Sequence, residues 1–336
     1  MENLNQLKEL LKMPRDILIV SHRNPDGDAI GSSLALYHYL KQGGHALKVI
    51  VPSEYPDAFA WMPEVDKIII FDNDPEESEK YVQNAELVFC LDFNSLDRID
   101  RLGELIEQNK HCKIAMIDHH LYPDPFSDFT LSDITASSTC ELIFDFIEML
   151  GDKSALNKTI GDCIFTGVLT DTGSFKYSTS PKLFRIVAEL LELGVDDYSL
   201  QDLIFNTKKE KELRLLGYCL YHRMEVLPEY NAALITLTKE DYASFDIQRG
   251  DTEGVVNFLL TMKGISIAAF ITEQPKIVKI SLRSKGDISV QQMATKYFKG
   301  GGHKNAAGGF AYNTLNTTIK RFKEALAEAE TAAKDY

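Results

Sequence analysis

Five short runs in the first 120 residues constrain this chain most: Ile17–Val20, Leu47–Val51, Lys67–Phe71, Glu86–Leu91 and Lys113–Ile117. Each is largely continuous in its apolar residues rather than alternating, as in strands buried on both faces of a parallel sheet. A helical pattern over Gly31–Gln42 places Leu34, Leu36, Tyr37 and Leu40 mainly on one face, and Gly43-Gly44 stops it. Strand, helix and strand in succession predict a doubly wound α/β sheet. Residues 137–224 read as mostly helical. Ser138-x-x-Glu141 is a capping box ahead of Leu142–Ile147, and Pro181–Gly194 is a further helix. From Glu225 a second pattern begins, with strands over Asn231–Thr238, Ile265–Thr272 and Lys276–Arg283. Helices are expected near Thr252–Met262, Ser289–Phe298 and Thr317–Ala333. The expected architecture is therefore α/β: a parallel-sheet domain over 1–195, a charged helical connector over 196–224, and a smaller α/β domain over 225–336.

Composition removes several alternatives. No apolar stretch approaches the ~20 residues of a spanning helix. Met1–Lys12 is charged and amphipathic, without the apolar core of a signal peptide. The expectation is a soluble, cytoplasmic protein with no membrane partner. Cys90, Cys112, Cys140, Cys163 and Cys219 form no C-x-x-C pair, and read as buried reduced thiols. The net charge of −14 argues against binding long duplex DNA. That charge is unevenly placed: residues 1–224 carry 22 basic and 37 acidic groups, residues 225–336 carry 14 and 13. Between Lys276 and Lys304 seven basic residues face only Asp287. An acidic first half and a basic patch in the second point to cations in one and phosphates in the other.

The polar residues fall where the runs end. His22, Asp26 and Asp28 follow the first strand in Ser-His-Arg-Asn-Pro-Asp-Gly-Asp; Asp92 follows Leu91; Asp118-His119-His120 follows Ile117. In a parallel sheet these are carboxyl-end positions, where ligands of open α/β sheets bind. Asp171 ends an apolar helical run and could join them. So many carboxylates in one crevice repel unless cations neutralise them. Carboxylates with imidazoles and no thiolate suit Mn²⁺ or a similar ion. Asp26 and Asp28, two apart on a turn, can reach two different ions, which favours a two-metal site for in-line phosphoryl displacement. Singly, each has a bland reading: a Pro-Asp-Gly turn, a helix cap at Asp28, a surface carboxylate at Asp118, an incidental His pair. Their joint placement argues against coincidence.

Gly300-Gly301-Gly302-His303-Lys304 lies in the basic window. Consecutive glycines can turn backbone N–H groups toward one anion, and His303 and Lys304 add donors. The stretch lacks the Gly-Lys-Ser/Thr of a Walker A loop, and a plain turn is the alternative. Arg283 reads equally as a phosphate fork or a solvated strand end. Ser137 and Ser138 could touch a phosphate, but capping explains Ser138. His38, His45, His111, His222 and Trp61 read as packing or loop residues.

Together these segments resemble the DHH phosphoesterase superfamily with its DHH-associated C-terminal domain. The resemblance rests on Ser-His-Arg-Asn-Pro-Asp-Gly-Asp-Ala-Ile-Gly-Ser, Leu-Asp-Phe, Asp118-His119-His120, Thr170-Asp171-Thr172-Gly173 and Gly-Gly-Gly-His, in that order from about His22 to Phe310. Length and layout are similar to the NrnA-type nanoRNases. The resemblance implies a catalytic domain over 1–195, a substrate-binding domain over 225–336, and an active-site cleft between them. It implies two Mn²⁺ ions, with Mg²⁺ or Co²⁺ as substitutes. His22, Asp26 and Asp92 would hold the first; Asp28, Asp92, His119 and Asp171 the second, with Asp92 bridging. Asp118 would orient its neighbours and His120 would contact the scissile phosphate. Gly300, Gly301, Gly302, His303 and Arg283 would hold the remainder of the nucleotide. The implied activity is hydrolysis of short single-stranded RNA and removal of the 3′-phosphate of 3′-phosphoadenosine 5′-phosphate (pAp), by in-line attack of a hydroxide bridging the metals. A homodimer is also implied. Phe93-Asn94 departs from the small hydroxyl residues expected after Asp92.

Three other functions compete. A stand-alone cyclic di-AMP or pApA phosphodiesterase would use the same site. A manganese pyrophosphatase would lack Gly-Gly-Gly-His. A non-catalytic nucleotide or RNA sensor would be expected to have lost some of the ligands that this chain retains.

Overall fold

The computed structural model describes residues 1–248 and 250–334, which form two compact units, one ending at Thr207 and the other beginning at Lys208. No helix among the described residues is long and apolar enough to cross a membrane. The first unit is built on six strands: β1 (Asp16–Ser21), β2 (Ala46–Val51), β3 (Ile69–Ile70), β4 (Leu87–Leu91), β5 (Lys113–Asp118) and β6 (Phe129–Ser132). Their order is β3-β2-β1-β4-β5-β6 and every pairing is parallel. The chain runs outward from β1 in one direction and returns to β4 on its other side. The β1/β4 junction is therefore the topological switch point, where a crevice opens at the carboxyl ends.

Helices cover both faces. They are α1 (Leu4–Leu11), α2 (Gly27–Lys41), α3 (Pro75–Asn84), α4 (Arg101–Gln108), α5 (Thr139–Met149), α6 (Lys158–Asp171), α7 (Pro181–Glu192) and α8 (Asp197–Phe205). Ile17, Ile19, Leu87, Phe89, Ala115 and Ile117 pack in one core with residues of α2, α5 and α6. The alternate positions Leu18, Val20, Val88 and Cys90 pack in a second core with Val82 of α3 and Leu102 and Ile106 of α4. This double covering is the reason the runs are continuous in their apolar residues. All five cysteines are buried free thiols.

The second unit begins with α9 (Glu210–His222) and carries a mixed sheet of β7 (Met224–Leu227), β8 (Ala232–Leu237), β9 (Ile267–Glu273), β10 (Val278–Ser284), β11 (Gly301–His303) and β12 (Ala306–Ala311). The order is β11-β12-β10-β9-β8-β7, antiparallel except for β8 with β9. Its helices are α10 (Lys239–Ser244), α11 (Val255–Leu259), α12 (Val290–Tyr297) and α13 (Leu315–Lys334). Leu234, Ala269, Ile280 and Leu282 face Val290 of α12 and Phe322 and Leu326 of α13 in one core. Ala233, Ile235, Ala268 and Phe270 face α9 and α11 in another.

Several elements differ from the sequence reading. The helix expected from Gly31 begins at Gly27, because the cap is Asp26 and not Asp28: the Asp26 carboxylate accepts from the Asp28 and Ala29 N–H groups. The strand expected over Lys67–Phe71 shrinks to two residues, since Val65–Lys67 forms a 3-10 turn. β6 and β7 have no counterpart in the sequence reading, and the helix near Thr252–Met262 is only Val255–Leu259, entered from a left-handed Gly254. The glycine stretch is not an open loop: Gly301–His303 pairs with the first half of β12 as a hairpin, Gly301 opposite Gly308 and His303 opposite Ala306.

Candidate metal centre

The crevice at the β1/β4 switch point collects the predicted acidic and imidazole groups. His22 follows β1; Asp26 caps α2 and Asp28 lies in its first turn; Asp92 follows β4; Asp118 ends β5, ahead of His119 and His120; Asp171 is the last residue of α6. Three sets of ligand atoms lie within 4.8 Å of one another: His22, Asp26 and Asp92; Asp28, His119 and Asp171; and Asp92, His119 and His120. Asp92 lies between the sets. His22 Nε2 is 3.3 Å from its Oδ2, and His119 Nε2 is 3.5 Å from its Oδ1. His119 Nε2 is also 3.3 Å from Asp171 Oδ2 and 3.9 Å from Asp28 Oδ2. Asp26 Oδ1 lies 4.0 Å from His22 Nε2.

The imidazoles are oriented from behind. His22 Nδ1 lies 3.0 Å from the Arg23 carbonyl and His119 Nδ1 3.4 Å from the Ala136 carbonyl. A carbonyl only accepts, so Nδ1 carries the proton in both neutral rings and Nε2 presents its lone pair to the crevice. His120 is held by Asp118: the backbone N–H donates to Oδ2 at 3.1 Å, and Nδ1 lies 2.7 Å from Oδ1. Asp118 thus grips His120, its partner two residues on. Asp92 adopts a left-handed backbone, φ 64, and donates its N–H to the Ile117 carbonyl. A non-glycine residue in that region costs roughly 1–2 kcal/mol.

Sequence reasoning missed the residues that hold the carboxylates. The first backbone N–H groups of a helix have no partner within it. Those of Thr139 and Cys140, opening α5, donate to Asp28 Oδ2 at 2.6 Å and Oδ1 at 2.8 Å. The Thr139 hydroxyl donates to Asp92 Oδ1 at 3.0 Å. The Ser138-x-x-Glu141 box could have located them. Only half of it forms: the Ser138 hydroxyl accepts from the Glu141 N–H, while the Glu141 carboxylate accepts from the Ser137 N–H instead of that of Ser138. Close helix contacts complete the shape. A Cβ on Gly27 would lie 2.5 Å from the Thr170 side chain, and one on Gly31 2.7 Å from the Cys163 carbonyl.

The electrostatics are those of a cation site. Burial, then the Asp92 charge, pushes the Asp28 carboxyl up to about 8. Burial and then Asp28 push Asp171 well above the ordinary carboxylate range. Burial would lower both histidines, but hydrogen bonding to Asp92 overrides it and raises His22 to about 9 and His119 to about 11. Burial alone would raise Asp92; the His119 and His22 hydrogen bonds hold it well below its usual range. Protons thus stand in for positive charge among four carboxylates. Divalent ions replace such protons when they bind. The donor set, with its oriented imidazoles and no thiolate, fits two divalent cations sharing Asp92.

In the second unit, Gly300 and Gly302 are required by the hairpin: a Cβ there would lie 1.9 Å from the Gly308 carbonyl and 2.6 Å from that of Ala306. Gly301 has no such neighbour. Lys304 pairs with Asp287 at 2.8 Å. Arg283 Nη1 donates to the Leu282 carbonyl, and its side chain lines a cavity of about 110 Å³ with Lys279, Ser281, Tyr242 and Phe270. Arg283 and His303 therefore share one sheet, on β10 and β11.

This fold and donor set define a two-domain phosphoesterase of the DHH type. Residues 16–168 match the DHH family, N-terminal domain, and residues 231–335 match the DHHA1 domain. The chain belongs to the DHH family and is homologous to its characterised metal-dependent phosphoesterases. It is 32% identical to the bifunctional oligoribonuclease and PAP phosphatase NrnA of Thermus thermophilus over 99% of this chain and 96% of that protein. It is 26% identical to the NrnA of Bacillus subtilis, over 95% of each. The crystal structure of an exopolyphosphatase-related protein from Bacteroides fragilis superposes with a TM-score of 0.95 at 41% identity, over 98% of this chain and 97% of that one.

Proposed function

We propose that this chain hydrolyses short oligoribonucleotides to mononucleotides and removes the 3′-phosphate of pAp, using two Mn²⁺ ions. The observation that carries the proposal is the sharing of Asp92 between two ligand sets, one with His22 and Asp26 and one with His119 and His120. Asp28 and Asp171 join His119 around the second position. Two bound divalent ions would activate a water nucleophile and neutralise charge developing on the phosphoryl oxygens. The protein's own residues do the rest. Asp118 fixes His120, whose imidazole we assign to the scissile phosphate as donor. Thr139 and the N-terminus of α5 hold Asp92 and Asp28 in place, so that the ligands need not reorganise when the substrate enters. We assign Arg283, Gly300–Gly302 and His303 to the remainder of the nucleotide, and domain limits of 1–195, 196–224 and 225–336. Holding a short substrate by a second group can contribute several kcal/mol, up to roughly 7–11 in well-oriented models. The similarity to the two NrnA proteins supports both substrates.

The test is a Mn²⁺-dependent hydrolysis panel: pAp, a 5′-labelled RNA series of two to twenty-four nucleotides, pApA, cyclic di-AMP and pyrophosphate. Mononucleotide release from two- to five-mers with pAp turnover is expected. Preference for cyclic di-AMP or pyrophosphate would replace the proposal, and no turnover despite bound metal would make the chain a sensor.

A further inference from the structure

Beyond Asp92 and His120 the chain leaves two strand ends side by side and ties them together. Phe93-Asn94 follows Asp92; Leu121-Tyr122-Pro123-Asp124-Pro125-Phe126 follows His120. Asn94 Nδ2 donates to the Leu121 carbonyl at 2.7 Å and lies 3.5 Å from that of Tyr122. The Asn94 carbonyl accepts from the Asp124 N–H at 2.8 Å. The buried Phe93 ring stacks on Phe126, centroids 6.3 Å apart and planes 2° from parallel. With two prolines limiting the backbone further, segment 121–126 has little freedom left. Thus the Phe93-Asn94 pair, unusual beside the expected small hydroxyl residues, is the anchor of this segment.

What the anchor holds is an aromatic ring in water. Tyr122 is 85% exposed and Leu121 43%. The Tyr122 backbone is left-handed, φ 60, a conformation that is costly for a bulky side chain and that gathers at ligand-binding sites. A single exposed apolar residue is ordinary. An exposed ring on a strained backbone, pinned from both sides and two residues from His120, needs a partner.

We propose that Tyr122, presented by Asn94, is a stacking platform for the nucleobase next to the phosphate under attack. This rests on the nucleotide-phosphoesterase function above. Two residues of chain span at most about 7 Å, so the ring is tethered within one nucleoside's reach of His120. A tyrosine ring has few rotatable bonds to immobilise, and the anchored segment lowers the ordering cost further. Every base offers a π-face, so the platform accepts any sequence while favouring phosphoesters that carry a base.

Kinetics with a diadenylate and its abasic counterparts test this. Tyr122→Ala should raise KM for the diadenylate about tenfold, within the range for losing one aromatic–base stack, with kcat within about twofold. Tyr122→Phe should restore it, and Asn94→Ser should give a smaller rise. With the abasic counterpart that lacks the stacked base, wild type should lose the same factor and Tyr122→Ala nothing more. An equal loss on all substrates, or no loss on any, overturns the proposal. So does a change in sedimentation of Tyr122→Ala, which would make the ring a contact between copies. A second measurement is independent of turnover: fluorescence of Tyr122→Trp should be quenched by AMP and not by ribose 5-phosphate. If wild type turns over no nucleotide, the phosphoesterase assignment fails and this quench alone decides the platform; equal or absent quenching overturns it.

Discussion

Replacing Gly167 by Ala puts a methyl group where three helices meet. The added Cβ would lie 2.3 Å from Cys140 Sγ, 2.6 Å from Asp28 Oδ1 and 2.9 Å from Cys140 Cβ. Ordinary carbon contacts are about 3.5–4.0 Å, so something must yield by about 1 Å. Neither neighbour yields easily. Cys140 is fully buried, and both Asp28 oxygens are held by the Thr139 and Cys140 N–H groups. Either α6 moves away from α2 and α5, or Asp28 leaves its grip. Overpacking of this kind costs about 1–3 kcal/mol. At roughly 2–4 °C per kcal/mol for a domain of this size, the melting temperature of the first unit should fall by about 2–12 °C. Displacing Asp28 should also weaken Mn²⁺ binding about 10–100-fold, the usual effect of losing a contact that orients a ligand. The control is Gly217→Ala in α9, where the added Cβ meets nothing within 4 Å. There the alanine should stabilise the second unit by about 0.4–1 kcal/mol. Thermal melts of the metal-free protein and calorimetric Mn²⁺ titration read both effects. A Gly167→Ala protein with unchanged melting and unchanged Mn²⁺ affinity would refute the packing argument.

Asp92→Ala should abolish Mn²⁺-dependent hydrolysis and lower metal content in elemental analysis, since Asp92 belongs to two of the three ligand sets; full turnover by this variant would end the shared-ligand assignment. In the metal-free protein, the pKa of His22 is raised from 6.5 to about 9, so its contribution to stability is complete below pH 6.5 and is lost as pH rises through 9. Metal-free protein should therefore melt lower across pH 6.5–9, while Mn²⁺ affinity rises over the same window as fewer protons must be displaced; an affinity independent of pH there would contradict the proton-for-metal exchange. Thr139→Val removes the buried hydroxyl from Asp92 and should cost about 1.5–3 kcal/mol, typical for a hydrogen bond to a charged group. Thr139→Ser should keep most of it, and equal melting temperatures for the two variants would show that the hydroxyl contributes nothing.

The parallel sheet, the helix start at Ser138 and the placement of His22, Asp92 and His119 at strand ends are all legible in the order of residues. These are local properties: continuous apolar runs report burial on both faces, and a polar residue after such a run is a carboxyl-end residue whatever surrounds it. Local signals failed where pairing across the chain set the outcome. Phe129–Ser132 and Met224–Leu227 are too short to announce themselves, and become strands because β5 and β8 offer partners. Gly301–His303 has poor strand propensity, yet pairs with β12 because only glycine at 300 and 302 lets the two backbones approach. The helix cap falls on Asp26 rather than on Asp28, since the Asp28 carboxylate is held by α5, more than a hundred residues away. Asn94 and Tyr122 carry no motif, and the tie between their segments exists only where two strand ends lie side by side; the Thr139 contact exists only where the start of α5 meets Asp92. Such contacts belong to the folded chain, because a hydrogen bond or a close helix crossing needs both partners within a few ångströms, and linear spacing does not encode that distance.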